Sequence, residues 1–477
     1  MELDERTCEQ ARLNRDARFD GRIFIGITST GIYCRPICPA PHAKRVHVRF
    51  YPSAAAASEA GFRPCLRCRP EVAPGTPAWN GTATTVSRGL RLIAEGALDD
   101  AGVEILAARL GVSARHLSRL FRRHLGALPT TVAQTRRLHF AKQLVSDTNL
   151  PMAQVAMASG FRSIRRFNDA FREFYGRPPS ALRRLGSRAG AAEGEYAFDL
   201  HFRPPYDWES LLSFLRARRA SGVESIRDGV YGRVVAVKGS HGRIEVRLAP
   251  AANALRTVIR FPKPEYLLQI ITRVRYMFDL TADPDVIRRV LSADGGLAPL
   301  LGRPFGLRLP GAWDALEPVT HAILRQRFSL DETLRVQGLL VEECGEAVSF
   351  PDDDELCRAF PTAAALADGR FAFLPRSTAA LIRSAAEAVA SIGPNASPDD
   401  LLVKLRKITE VDESTIEYVA MRALNDSDAF PAGDADLQRA IGENMSTREL
   451  LQRAAAWKPW RAYAALALMR ASGYHRT

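Results

Sequence analysis

The sequence predicts a multidomain α+β protein, and three observations predict it. With 477 residues the chain is too long for one hydrophobic core and suggests roughly three or four domains. Apolar residues follow a helical period over residues 85–185 and over most of the chain beyond 280, with alternating, strand-like stretches between them. Two close cysteine pairs, in "GIYCRPICP" (31–39) and "GFRPCLRCRP" (61–70), stand apart in a chain with seven cysteines. Such a pattern points to a small unit clipped together near the N-terminus.

Composition is that of an ordinary soluble globular protein, 46% hydrophobic and 25% charged. No run reaches the roughly 18–20 apolar residues that a membrane helix needs. The opening "MELDERTCEQARLNRDARFDGR" is densely charged and lacks the apolar core of a signal peptide. A cytoplasmic location is expected, where paired cysteines more often hold metal or react than form a structural disulfide.

The net charge of +13 is unevenly spread: residues 1–190 balance to +15 and the remainder to −2. Arginine dominates the basic side chains of the first part, which suits recognition of phosphate and guanine through a planar, forked donor. A coding bias toward arginine would explain Arg over Lys, but not a twofold excess of base over acid. A polyanion, DNA above all, is the expected partner.

Two small-residue stretches read as linkers, "PEVAPGTPAWNGTAT" (70–84) and "GSRAGAAEGE" (186–195), with a softer boundary near 292–311. Residues 85–185 read as almost wholly helical. "YAFDLHF" and "GRIEVRLAP", within 196–280, read as strands, and helical patterns such as "TAALIRSAAEAVASI" dominate to the end.

Cys34 and Cys38 are separated by three residues, Cys65 and Cys68 by two. Two such pairs from distant parts of a chain are how a tetrahedral tetrathiolate zinc site is usually built. Spacing alone leaves open whether the metal merely holds a small domain together. Residues 16–70, with "GIYCRPICP" and "GFRPCLRCRP", resemble the N-terminal domain of Ada-type proteins, with Ser29 in place of a usual threonine. In that family zinc-bound cysteines take a methyl group from a DNA methyl phosphotriester. The resemblance implies one zinc ion on Cys34, Cys38, Cys65 and Cys68, with Cys34 as the acceptor. Zinc keeps a thiol deprotonated at neutral pH. A formal charge of −2 at the site becomes −1 when one sulfur is methylated, so DNA affinity is expected to rise. His42 and His47 read as surface or DNA-facing residues, because four cysteines already fill a tetrahedron.

"VEILAARLGVSARHLSRLFRRHLG" (103–126) places Gly111 where one helix ends and Ser113 where the next is capped. "PMAQVAMASGFRSIRRFNDAFREFYGRPPSALR" (151–183) repeats the scheme with Gly160 and Ser163. Two helix-turn-helix units joined by a helix, ending in "FREFYGRPPSALR", resemble the AraC-type DNA-binding domain. That resemblance implies that the second helix of each unit enters the major groove. Arg115, His116 and Arg119 would project from the first, and Arg162, Arg165, Arg166 and Asn168 from the second. The plainer alternative is a helical bundle with a solvated basic face.

Residues 196–477 resemble the AlkA-type alkylbase DNA glycosylases through "THAILRQRFS", "EYVAMRALNDSDAFPAGD" and "WKPWRAYAALALMRASG". The resemblance implies a TATA-binding-protein-like α/β domain followed by an all-α helix-hairpin-helix domain. It implies Asp434 as the catalytic carboxylate, acting on a base flipped from the duplex, and a base pocket that includes Tyr418, Met469 and Gln326. One departure matters. Where the family carries approximately "PGIGPWTA", a hairpin whose glycines admit a DNA phosphate, this chain has "TEVDESTI" (409–416), with Glu410, Asp412, Glu413 and Ser414. Such a hairpin is anionic and is expected to repel DNA.

The expected organisation is therefore 1–78 zinc methyl-acceptor domain, 84–187 double helix-turn-helix domain, 196–285 α/β domain and 286–477 helix-hairpin-helix domain. The expected function is repair of DNA alkylation coupled to control of transcription, with excision of 3-methyladenine-type purines by the C-terminal half. The competing reading is a transcription regulator whose glycosylase-like half is silent. Expected partners are double-stranded DNA, methylated and promoter, and RNA polymerase, with no membrane and a monomeric chain.

Overall fold

The computed structural model describes residues 4–74, 83–99, 101–183, 194–302, 304–392, 399–441 and 445–471. In chain order its helices and strands are α1 (Glu5–Leu13), β1 (Phe24–Ile27), β2 (Ile32–Cys34), β3 (Val48–Tyr51), α2 (Ala54–Glu59), β4 (Arg63–Pro64), α3 (Ala83–Ala94), α4 (Val103–Arg109), α5 (Ala114–Leu125), α6 (Pro129–Asp147), α7 (Met152–Ala158), α8 (Ile164–Tyr175) and α9 (Pro179–Arg183). Then follow β5 (Glu195–His201), α10 (Trp208–Arg216), β6 (Glu224–Arg227), β7 (Val230–Val237), β8 (Ser240–Ala249), β9 (Ala254–Arg260), α11 (Leu267–Met277) and α12 (Pro284–Leu291). The last stretch holds α13 (Leu316–Arg325), α14 (Leu330–Cys344), α15 (Ala363–Asp368), α16 (Arg376–Ala390), α17 (Asp400–Leu405), α18 (Glu413–Leu424), α19 (Ala435–Ile441), α20 (Thr447–Ala454) and α21 (Arg461–Ala471).

Two compact units emerge. The first comprises residues 1–204, 249–272 and 280–283, the second 205–248, 273–279 and 284–477. Strand β5 pairs antiparallel with β9 in the first unit, and β6, β7 and β8 form an antiparallel meander in the second.

In the first unit a small sheet has the order β3-β1-β2-β4. Strand β2 runs antiparallel to β1 and parallel to β4. Tyr33, Phe24 and Ala57 form its buried core. The helical part matches the sequence reading closely. Ser113 and Ser163 accept the backbone N–H of His116 and Arg166, capping α5 and α8. Gly111 and Gly160 supply the left-handed turns between paired helices, at φ 67° and 79°, a conformation that costs glycine nothing. Leu106, Leu117, Leu120 and Phe121 close the core of the first helix-turn-helix. Phe167, Phe171 and Tyr175 pack in series along α8, edge-to-face and then tilted, with ring centroids 5.5 and 4.6 Å apart.

Most of both expected linkers, residues 75–82 and 186–193, lies outside the described residues. The start of the first one is described, and it is no loose connection. Pro70–Val72 form a buried 3-10 turn. Glu71 within it is fully buried, and Lys142 Nζ and Arg69 Nε donate to its carboxylate at 2.6 and 3.1 Å. The Pro and Gly content marks a change of direction, but burial of a charge needs pairing, and the closer of its two cations, Lys142, lies far off in sequence.

In the second unit, helices α13–α21 build an all-α body. Ser329 and Ser446 each open a helix with a complete capping box. Residues 305–311, expected near a soft boundary, are packed in: Phe305, Leu307 and Leu309 are buried.

Candidate functional site

The metal centre follows from strand register. Parallel pairing of β2 with β4 sets Tyr33 beside Pro64, and the Cys65 N–H donates to the Tyr33 carbonyl at 2.9 Å. Cys34 and Cys65 therefore stand together at the ends of their strands. A tight turn returns the chain, with the Cys38 N–H donating to the Arg35 carbonyl at 3.1 Å. The four sulfurs of Cys34, Cys38, Cys65 and Cys68 all lie within 4.8 Å of one another. A tetrahedral zinc ion with Zn–S bonds of about 2.3 Å needs such a cluster, and four thiolates are the donor set this ion favours. The cysteines form a tetrathiolate zinc site.

The four sulfurs are not equivalent. Cys38 and Cys68 are buried, whereas Cys34 and Cys65 are half-exposed. Cys68 Sγ also accepts the Arg35 N–H at 3.3 Å. The Arg35 guanidinium lies across a buried ion pair with Asp20 (Nε to Oδ1, 2.9 Å) and donates to the Cys68 carbonyl at 3.1 Å. His42 is exposed and His47 half-exposed, and neither belongs to the cluster.

Behind the sheet the cysteine segment packs on α6, the helix that joins the two helix-turn-helix pairs. Tyr33 OH lies 2.9 Å from His139 Nε2. Burial keeps both neutral, raising the phenol well above its ordinary range and lowering the imidazole to about 4. Burial also disfavours the charge on Glu71, but Lys142 and Arg69 outweigh it and hold the carboxyl below its usual value. Arg69 bridges onward to Asp147 at 2.8 Å.

Of the expected DNA-contacting residues, Arg115 and Arg119 are exposed on α5, and Arg165 and Arg166 on α8. Arg162 is exposed just ahead of α8, while His116 and Asn168 are half-exposed. His116 Nδ1 lies 3.0 Å from Arg119 Nη2. The structure thus brings a basic row onto the second helix of each pair.

In the second unit Asp434 ends the loop 430–434 and opens α19. Its Oδ1 accepts the N–H groups of Asp436 and Leu437 at 2.9 and 3.2 Å. Among the described residues no donor reaches Oδ2, so one carboxylate oxygen is anchored and the other is open. Burial raises its pKa above the ordinary carboxylate value, and nearby Asp436 adds to that, against the pull of Arg218 and the two N–H donors.

The expected pocket residues sit differently. Tyr418 is buried, stacked on His321 with centroids 5.9 Å apart, and its hydroxyl accepts from Arg422 at 2.9 Å. The Arg422 guanidinium lies 5.1 Å from the Phe214 ring centre, and Phe214 lines a small cavity with Met469, Leu211 and Leu466. Phe214 carries no signal of this in the sequence, because "SLLSFLRARR" reads as an ordinary amphipathic helix. Gln326 instead braces the hairpin. Its amide lies 2.7 Å from Thr415 Oγ1, and with the amide oxygen turned to that side it also accepts the Asp412 N–H at 3.2 Å.

The hairpin's acids are largely engaged. Asp412 caps α18 by accepting the Thr415 N–H at 2.7 Å. Glu410 pairs with Arg327 and Glu413 with Arg406, each at 2.7 Å. The patch is less anionic than its sequence implies, since two arginines offset three acids. The helix N-terminus that a phosphate would approach is occupied by the chain's own carboxylate. Ser414 faces the Asp434 loop, because a side chain at Gly433 would come within 3.2 Å of the Ser414 Cβ.

Known proteins resemble this chain along three segments. The family profile "Metal binding domain of Ada" matches residues 7–71, "Helix-turn-helix domain" residues 106–185 and "AlkA N-terminal domain" residues 197–314. "DNA-3-methyladenine glycosylase 2" of Escherichia coli is 28% identical across 58% of this chain and 98% of its own length. "Bifunctional transcriptional activator/DNA repair enzyme Ada" of the same organism is 38% identical across 27% of this chain and 35% of its own. The "Probable bifunctional transcriptional activator/DNA repair enzyme AlkA" of Mycobacterium tuberculosis is 36% identical across 97% of this chain and 96% of its own. A likeness running almost end to end in both chains decides the matter: the chain belongs to the family of bifunctional transcriptional activator/DNA repair enzymes that join an Ada metal-binding segment to an AlkA glycosylase.

Proposed function

We propose that this transcriptional activator and DNA repair enzyme acts on alkylated DNA at two places and turns one of them into a signal. At the first, Cys34 accepts the methyl group of a DNA methyl phosphotriester. The observation that carries this assignment is the inequality of the four sulfurs. Cys38 and Cys68 are buried and Cys68 is further quietened by the Arg35 N–H, which leaves the half-exposed Cys34 and Cys65, and of these two the resemblance to the Ada metal-binding domain favours Cys34. Zinc, when bound, keeps all four as thiolates at neutral pH. The Cys34 sulfur attacks the methyl carbon, the S–C bond forms as the C–O bond breaks, and the phosphodiester leaves with the electron pair. Loss of one negative charge then favours approach to phosphate, and the exposed arginines of α5 and α8 read promoter DNA. The working unit is a single chain in the cytoplasm that presents bound DNA to RNA polymerase.

At the second place, the C-terminal half excises alkylated purines of the 3-methyladenine type. A flipped nucleotide would enter beside Tyr418, Phe214 and Met469, with Asp434 Oδ2 facing C1′. As the glycosidic bond breaks, the base leaves with its electron pair, the carboxylate stabilises the developing positive charge on the sugar, and water adds at C1′. A second reading, in which this half is catalytically silent, is favoured by the hairpin, where Asp412 occupies the helix N-terminus that a phosphate would approach.

Two measurements test the assignment. After incubation with methylated DNA, mass spectrometry is expected to find one methyl on Cys34; a methyl confined to another cysteine overturns it. Wild type is expected to release 3-methyladenine far faster than Asp434→Asn; equal release removes the enzymatic reading of the second unit.

A further inference from the structure

The glycosylase reading makes Asp434 the reacting carboxylate, and a positioning role for its neighbours rests on that reading. Asp434 does not hold itself. Its Oδ1 is tied to two backbone N–H groups, of residues 436 and 437, so its aim depends on whatever fixes the first turn of α19. A seven-residue helix with an exposed outer face has little of its own to fix it.

The fixing group is the Asp436 side chain, which is almost fully buried. Its Oδ2 accepts from Arg218 Nη2 at 3.0 Å, with both side chains out of contact with water. Its Oδ1 accepts from Arg439 Nη1 at 3.2 Å, and Arg325 Nη2 approaches at 3.4 Å. Arg218 comes just after α10 and Arg325 from the end of α13, so two separate elements converge on α19. Arg218 is itself seated, with its guanidinium 3.8 Å above the Phe214 ring. Phe214 lines the cavity that also contains Met469. One guanidinium therefore connects a wall of that cavity to the turn that aims Asp434.

We infer that Asp436, clamped by Arg218 and Arg325, is a positioning residue for Asp434, and that Asp436 and Arg218 act in opposite senses on whether that carboxylate is charged. The carboxylate of Asp436, two residues away, disfavours a second negative charge at Asp434, while the Arg218 guanidinium favours it. Among the described residues, the charged groups facing this cluster are Asp436 and Arg439 on α19, Arg218 after α10, and Arg325 on α13. His321, also on α13, faces Arg218, Arg325 and Arg422; burial, reinforced by those arginines, lowers it to about 3, so it stays neutral through the working range. Opposed charges of this kind are a means of keeping a desolvated carboxylate ionised near neutral pH without pairing it directly and so blunting it.

The test is the pH profile of 3-methyladenine release by the full-length protein, run for wild type, Asp436→Asn, Arg218→Gln and Arg218→Lys. Asp436→Asn keeps the backbone N–H and is expected to move the acid limb to lower pH. Arg218→Gln is expected to move that limb to higher pH. Release at a fixed pH on the limb then slows about tenfold for every pH unit the limb has moved up in Arg218→Gln, and quickens by the same factor for every unit it has moved down in Asp436→Asn, in kcat rather than KM. Arg218→Lys retains the charge and is expected to stay near wild type. The Asp434 carboxyl resonance, titrated by NMR in the same proteins, gives the same ordering without activity and shows whether a variant is folded. Displacement in the same direction by both Asp436→Asn and Arg218→Gln, or by neither, overturns the proposal while leaving Asp434 as the reacting group. If wild type releases no more base than Asp434→Asn, the glycosylase reading fails and this inference fails with it.

Discussion

Cys34 and Asp434, the two candidate reacting groups, are held in opposite ways. Cys34 is placed by neighbours: a three-residue strand, a tight turn and a parallel partner strand, all within residues 32–68. Asp434 is placed by strangers, since Arg218 and Arg325 reach its helix across 218 and 111 positions of sequence. Surroundings differ as well. The cysteine site is wrapped in buried ion pairs, Asp20 with Arg35 and Glu71 with Lys142. Asp434 keeps an open oxygen and a carboxylate whose charge its surroundings disfavour. A site assembled locally survives as a motif. A site assembled at long range survives as a geometry, and its parts can be exchanged so long as the geometry holds.

The sharpest way to break the first side of that comparison is to remove its metal. Chelation, or Cys65→Ala, is expected to abolish methyl acceptance and to open residues 16–70 to protease, because apparent binding energies of structural zinc reach roughly 10–16 kcal/mol in small domains. Zinc content and the cleavage pattern read this together. Survival of an intact, protease-resistant segment without metal would show that its buried pairs suffice alone.

On the other side, Asp434→Asn is expected to lower base release by about 10²–10⁴-fold. The same change is expected to raise stability at neutral pH. A carboxylate whose folded pKa lies above its unfolded value opposes folding wherever it is ionised, and this penalty fades as pH falls through the folded pKa. Asparagine removes the penalty and still caps α19. Denaturation of both proteins at pH 8 and pH 4 is expected to show a gap at the higher pH that closes at the lower.

A third change probes the packing behind the cysteines. Lys142→Met removes the closer of the two cations that hold Glu71, leaving Arg69, and breaking a buried pair costs up to about 3–5 kcal/mol. Chemical denaturation of the protein is the measurement, with zinc content as the control. The smallest effect is expected at the hairpin. Glu410→Gln removes an exposed pair worth about 1 kcal/mol or less, and it is expected to tighten binding to an abasic duplex a few-fold at low salt, with the gain lost at high salt.

Much of the molecule is legible in the sequence for a physical reason. The cysteine spacing, Gly111 and Gly160 with their following serines, and the loop before Asp434 are local patterns, and local patterns are what periodicity and capping encode. Other features are hidden for the converse reason. Glu71 stands in a stretch of Pro and Gly that reads as a linker, and nothing nearby announces Lys142. Phe214 and Arg218 look like ordinary helix residues until the fold brings Asp436 and Arg422 to them. The hairpin shows the third case: Glu410, Asp412 and Glu413 read as a repulsive cluster, and only their pairing with Arg327, Arg406 and the helix end reveals how much of that charge is already spent.

The contact between Glu71 and Lys142 bears on how such a protein is inherited. The cysteine segment and the first helix-turn-helix look like separable modules joined by a spacer, free to be shuffled. A recombination that cut the chain between residues 75 and 82 would carry a buried carboxylate away from its lysine, and Tyr33 away from His139. Each half would then have to find a new partner for a group it cannot expose cheaply. The two motifs are consequently bound to travel as a pair.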